Sequence, residues 1–206
     1  VSITTADVDN GSSDNCTFTL SLDKTSFDCD DLGANTVTLT ATDGSNNTHS
    51  VTATVTVVDN INPTITAPAA VTVNVDTGTC ATALTNVTLG TPIISDNCTA
   101  TASNNAPASF PLGTTTVTWT VTDGSGNTAT ATQVVTVVDN IDPVVVCPSD
   151  FTAYGAADST LTSVSWTAAT ATDNCSIDTI YSDIQIGAYL PLGSTVVTYV
   201  AIDGSG

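Results

Sequence analysis

The side chains best able to do chemistry in this 206-residue chain are aspartates, and they recur in three short settings. One is a turn, seen in "TATDGSNN", "TVTDGSGN" and "VAIDGSG", which places Asp43, Asp123 and Asp203 at intervals of 80 residues. Another is the triplet "DNC", ending at Cys16, Cys98 and Cys175, and the third is "VVDNINP" at 57–63 with its counterpart "VVDNIDP" at 137–143. Carboxylate and amide oxygens are ligands for hard cations, and Ca²⁺ takes about 6–8 of them. The same residues before Gly or Pro also make ordinary metal-free turns, so position has to decide. An EF-hand is a poor match, because "DGSGN" lacks the spaced acidic ladder and the distal Glu.

Composition narrows the classes. All 20 acidic residues are Asp, Lys24 is the one fully basic side chain, His49 is the one histidine, and the formal charge is −19. Nucleic-acid binding is disfavoured, since phosphate neutralisation needs Lys and Arg. No apolar run is long enough to cross a bilayer as a helix, so no membrane insertion is expected of this segment. No enzyme is expected either. His49 falls in an expected hairpin loop with no nucleophile motif around it, and Asp30 and Asp31 are sequence neighbours on a turn that point apart. Thr ladders such as "TVTATVTVV" are read as outward strand faces rather than an ice-binding array.

The repeat supplies the register. Gly33, Gly113 and Gly193 share the 80-residue period of the Asp-Gly turns, whereas the "DNC" cysteines are spaced by 82 and 77, which puts length variation in loops. Boundaries at Asn60 and Asn140 divide the chain into 1–59 (start missing), 60–139 (complete) and 140–206 (lacking its last strand), as in an excerpt from a longer protein. In "TTTVTWTVTDG", Val117, Trp119 and Val121 alternate with threonines, the period of a strand with one buried face. Val37, Leu39 and Ala41, then Val197, Tyr199 and Ala201, occupy the same positions. Each strand runs into Asp-Gly and a second Val/Thr run, a hairpin with glycine supplying positive φ. The expected class is all-β, a tandem series of immunoglobulin-like sandwiches.

"DPVVVCP" at 142–148, "ATDNC" at 171–175, "FPLGTTTVTWTVTDGSGN" at 110–127 and "LPLGSTVVTYVAIDGSG" at 190–206 resemble hyalin repeat (HYR) domains. The resemblance implies an extracellular immunoglobulin-like module. The first repeat, with "FDCDDLGANTVTLTATDG", resembles one that alternates with HYR units in SprB-like giant surface adhesins of gliding Bacteroidetes, which would bring gliding motility into view. The chain departs from the HYR pattern in its cysteines: "APA" at 67–69 replaces a Cys-Pro, and "TATATQVVTVV" carries no Cys.

Cysteine number and the near absence of His favour disulfides in an oxidising compartment. Fifteen pairings are open, and the expectation is pairing within repeats: Cys16 with Cys29, Cys80 with Cys98, and Cys147 with Cys175. Each such loop would contribute about 3 kcal/mol in the chain-entropy model.

In an immunoglobulin-like sandwich the "DNC" and "DGSGN" loops face the linker from the preceding repeat. At the first junction this would gather Asp59, Asn60, Asp96, Asn97, Asp123 and Asn127; at the second, Asp139, Asp142, Asp173, Asn174 and Asp203. The linkers resemble the Asp-Asn-x-x-Pro calcium linkers of cadherins. The expected function is structural: stalk or filament repeats of a long cell-surface adhesin, stapled by disulfides and stiffened by Ca²⁺ at the junctions. Expected partners are neighbouring repeats of the same chain, with surface glycans, other cells and lateral self-assembly open. The alternative is a carbohydrate- or protein-binding module that recognises a ligand through its own loops.

Overall fold

The computed structural model describes residues 1–155, 157 and 159–206. Threonine and valine alternate along most segments, and such β-branched residues favour the pleated conformation over helix. The chain accordingly forms strands, with one four-residue α-helix, Thr5–Val8, and two single-turn 3-10 helices, Cys29–Asp31 and Leu84–Asn86, among the described residues. No helix of the described residues is long and apolar enough to cross a membrane.

In the first repeat β1 (Phe18–Leu22), β2 (Gly33–Asp43) and β3 (Thr48–Val57) form an antiparallel sheet in that order. The middle repeat contributes β4 (Thr64–Thr66), β5 (Val71–Asn74), β6 (Ala81–Ala83), β7 (Ile93–Ser95), β8 (Ala100–Asn104), β9 (Ser109–Pro111), β10 (Gly113–Asp123) and β11 (Thr128–Val138). Here β5, β11, β10 and β8 make one sheet, and β4·β7 and β6·β9 make two antiparallel ribbons. The third repeat continues with β12 (Val144–Val146), β13 (Leu161–Ser163), β14 (Thr170–Thr172), β15 (Ile177–Ser182), β16 (Tyr189–Pro191) and β17 (Tyr199–Asp203). Its pairs β12·β14, β13·β16 and β15·β17 are all antiparallel. The architecture is all-β, a tandem of sandwich-like repeats.

Contacts divide the chain into two compact units: residues 1–67 with 92–104 and 118–131, and residues 68–91 with 105–117 and 132–206. In the first unit the buried apolar side chains are Phe27, Val37, Leu39, Trp119 and Val121. The alternation that predicts Trp119 inward is met, with the ring 6% exposed. In the second unit Val75, Val87, Phe110, Val117, Val135 and Val137 are buried, with Val164 and Ala169 from the third repeat. Gln133 is buried among the valines because its Nε2 donates to the carbonyls of Ala69 at 2.7 Å and Leu89 at 2.8 Å. That satisfies a polar group whose burial would otherwise destabilise the fold.

Two local expectations are corrected. His49 lies within β3 opposite Ala41 rather than in the hairpin loop, because the turn closes earlier, with Asp43 N–H donating to Asn47 O at 3.0 Å. The first glycine of each Asp-Gly pair, Gly44 or Gly124, is not the residue with positive φ; that conformation falls two positions later, on Asn46 (φ 67°), Gly126 (φ 90°) and Gly206 (φ 88°). This is a three-residue hairpin loop, in which the left-handed residue follows a type I turn.

Candidate functional site

The Asp of each turn is a structural brace. Asp123 Oδ1 accepts the N–H groups of Ser125 (2.9 Å) and Asn127 (2.8 Å), while Oδ2 accepts Asn127 Nδ2 at 2.7 Å. Asp43 makes the same bonds with Ser45 and Asn47. Burial works against ionisation of Asp123, but the donors on Asn127, Ser125 and Gly126 outweigh it and hold its pKa below the ordinary carboxylate value. The Asn47 side chain and backbone N–H lower Asp43 in the same way.

The linker and "DNC" aspartates behave differently, because their turns use only one oxygen each. Asp59 Oδ1 accepts Ile61 N–H at 3.1 Å and Asp96 Oδ2 accepts Cys98 N–H at 3.3 Å, leaving Asp59 Oδ2 and Asp96 Oδ1 buried without a partner. One repeat later Asp139 Oδ1 accepts Ile141 N–H at 3.2 Å and Asp173 Oδ1 accepts Cys175 N–H at 2.8 Å. Asp139 Oδ2, Asp173 Oδ2 and Asn174 Oδ1 are again buried and unpartnered. A buried acceptor with no donor is costly, and a buried carboxylate more so. The same pair of orphaned oxygens appears at both junctions.

These groups converge. Asp59, Asp96 and Asp123 each bring one carboxylate oxygen within 4.8 Å of the others. Asn127 closes the group from the side, with Nδ2 donating to Asp59 O at 3.2 Å as well as to Asp123. In the second unit Asp139 and Asp173 meet at the same range, together with Cys175 Sγ. That sulfur is disulfide-bonded, so it is no thiolate ligand, and the hard donors there are the two carboxylates and Asn174 Oδ1. Asn174 also ties this loop down, with Nδ2 donating to Thr79 O at 2.9 Å and Asp139 Oδ1 at 3.3 Å. Of the other residues singled out from sequence, Asn60, Asn97 and Asp142 are exposed, and Asp142 belongs to neither carboxylate group. Asp203 is buried at 8% exposure but is not part of the second group; its Oδ1 accepts Ser205 and Gly206 N–H.

The cysteine pairing differs from expectation. The disulfides are Cys29–Cys98 and Cys80–Cys175, with Cα atoms 5.6 and 4.6 Å apart, while Cys16 and Cys147 are free and exposed. None of Cys16–Cys29, Cys80–Cys98 or Cys147–Cys175 forms. The "DNC" cysteines Cys98 and Cys175 each bond to a cysteine of the preceding repeat rather than to the nearest one in sequence, whereas Cys16 stays free. Each staple therefore sits beside an acidic group, at Asp96 in one case and Asp173 in the other. The signal was the position of Cys two residues after the Asp assigned to the linker-facing loop.

Remaining candidates resolve as structure. Lys24 ion-pairs with Asp31 and lies 5.0 Å from the Phe27 ring centroid. Trp166 is half-buried, and its Nε1 donates to Tyr199 Oη at 2.7 Å.

Residues 58–137 and 138–206 each match the family model of the HYR domain, together more than half of the chain. Curated relatives include Hyalin of Lytechinus variegatus, 40% identical over 134 residues, 63% of this chain and 25% of that protein. Hyalin of Strongylocentrotus purpuratus is 40% identical over 103 residues, 48% of this chain and 9% of that protein. The chain thus spans a quarter or less of the length of the curated relatives it matches. Solved structures that align include protocadherin gamma B7 extracellular cadherin domains 1–4, 12% identical over 93% of this chain and 65% of that one, TM-score 0.38. Protocadherin gamma B2 cadherin domains 1–5 align at 15% identity over 94% and 45%, TM-score 0.39, and scores this low support no reading. Two consecutive matches on an all-β chain with the expected turns and "DNC" loops settle the kinship: the chain belongs to the HYR domain family.

Proposed function

We propose that these repeats are structural stalk segments of a long extracellular adhesive protein, fastened at their junctions by disulfides and by bound Ca²⁺. The observation that carries this is the recurrence of paired, buried, unpartnered carboxylate oxygens, Asp59 with Asp96 and Asp139 with Asp173. Oxygen-only donors of this kind suit a hard cation, and calcium tolerates the irregular geometry that loops and a linker provide. Asp59, Asp96 and Asp123 would hold it at the first junction; Asp139, Asp173 and Asn174 would hold it at the second. A bound cation would turn repulsion between linker and loop carboxylates into a cross-link. Two disulfides support an oxidising, extracellular location.

Small-angle scattering with calcium and with chelator tests this reading. The expected result is a larger maximum dimension and a narrower distribution of dimensions with calcium. An unchanged profile would overturn the calcium fastening. Deleting one repeat from a full adhesin should reduce adhesion in proportion to length, and abolition by a single loop substitution would point to direct recognition instead.

A further inference from the structure

Two loops meet beside the second acidic group, and one of them is firmly built. The turn between β5 and β6 closes through Asp76 N–H donating to Ala81 O at 2.8 Å and Thr79 N–H donating to Asp76 O at 3.0 Å. The Asp76 carboxylate accepts Ala83 N–H and Asn86 Nδ2, each at 2.8 Å, and Cys80 O accepts Leu112 N–H at 3.3 Å. The facing loop, residues 173–176, joins β14 to β15 and belongs to neither strand.

Two attachments run from the braced turn to the donors. Cys80 is bonded to Cys175, whose N–H donates to Asp173 Oδ1 at 2.8 Å and leaves Asp173 Oδ2 unpartnered. One residue back on each loop, Thr79 O accepts Asn174 Nδ2 at 2.9 Å, which leaves the other end of that amide, Oδ1, buried and unpartnered as well. Asp139, the third donor, comes from the linker; it is 9% exposed and its Oδ2 has no partner. Cys175 Sγ lies within 4.8 Å of a carboxylate oxygen of both Asp139 and Asp173, whereas the first group, Asp59, Asp96 and Asp123, has no sulfur among its members.

We propose that the Cys80–Cys175 disulfide is the positioning element of the second cation site, so that cation binding and the redox state of this bond are coupled. The inference rests on the calcium reading above. With the bond closed, Asp173 and Asn174 are held in place before the ion arrives; with it open, the ion must order their loop itself, and that ordering lowers the affinity. Opening takes two electrons from a small dithiol. One thiolate of the reductant attacks a sulfur, the S–S bond breaks, and the second thiol displaces the remaining cysteine as the reductant closes its own disulfide. The two thiol protons of the reductant end on Cys80 and Cys175. Removing an outer support of a metal ligand weakens binding by about 10–100-fold. Coupling of this kind is reciprocal, so saturating calcium makes the bond harder to reduce by the same factor, about 30 mV for each tenfold.

Calorimetric titration of calcium into the whole chain carrying Asp59→Asn, which leaves the second site, tests this against the same chain with Cys80→Ser and Cys175→Ser added. The expected result is a dissociation constant about 10–100-fold larger without the disulfide, in protein whose circular dichroism in chelator matches that of the parent. Reduction of the unsubstituted chain in dithiol buffers, read by peptide mapping, is the second measurement, and it decides if the serine variant unfolds. The Cys80–Cys175 potential should fall by at least about 30 mV with saturating calcium. Equal dissociation constants in folded protein, or equal potentials with and without calcium, would overturn the coupling while leaving calcium binding itself intact. No calcium heat in the parent chain would overturn the calcium reading, and this inference with it.

Discussion

Replacing Cys29 and Cys98 with serine opens a loop of 69 residues that the fold otherwise closes covalently. In the chain-entropy model such a loop contributes about 4 kcal/mol at 25 °C, against about 3 kcal/mol for the short within-repeat loops that the sequence suggests. For a chain of this size that loss lowers the melting temperature by about 10–15 °C. The assay is denaturant unfolding of the double variant against the parent, with Cys16 and Cys147 alkylated in both. Non-reducing peptide mapping of the parent should return Cys29 linked to Cys98 and Cys80 linked to Cys175. Cys16→Ser, at an exposed free thiol, should change stability by no more than about 0.5 kcal/mol. A loss below about 1 kcal/mol in the double variant, or a Cys16–Cys29 linked peptide, would refute the assignment of the staples to the junctions.

Three other outcomes are expected. If the calcium dissociation constant lies near those of other extracellular modules, calcium at ten to a hundred times that value should raise unfolding free energy by about 1.4–2.7 kcal/mol per site over chelator. Asp59→Asn should lose that increment at one junction while being neutral or stabilising in chelator, and thermal melts in both buffers check the change of sign. Donors hold Asp43, Asp76 and Asp123 below the usual carboxylate pKa, for Asp76 chiefly the Ala83 N–H and then the Asn86 side chain. Their folded values lie below the unfolded ones, so their stabilisation is fully present above about pH 4 and is lost as pH falls through the lowered values, as urea midpoints between neutral and acid pH should show. Trp119→Ala should cost about 3–5 kcal/mol, read by denaturant unfolding, because the ring is almost wholly enclosed.

The parts of the fold legible in sequence are those where local periodicity and tertiary need coincide. Val117, Trp119 and Val121 announce a buried face, and the spacing of Asp43, Asp123 and Asp203 announces a repeated hairpin. The parallel pairing of β5 with β11 was not legible, because Val71–Asn74 is too short to carry a pattern of its own. The cysteine pairing was not legible for a related reason: sequence proximity favours short loops, whereas the bonds follow the direction in which Asp96 and Asp173 turn their chain. Within the acidic sets, Asp59, Asp96 and Asp123 were readable together because each sits in a fixed turn. Asn60 and Asp142 were not separable from them by type, and the structure leaves both exposed to solvent.

Isothermal titration calorimetry of calcium into the intact, oxidised chain tests the central claim most directly. About two sites are expected, one lost in Asp59→Asn and the other in Asp139→Asn. No binding heat under conditions where the chain is folded, or binding undiminished in the double variant, would contradict it.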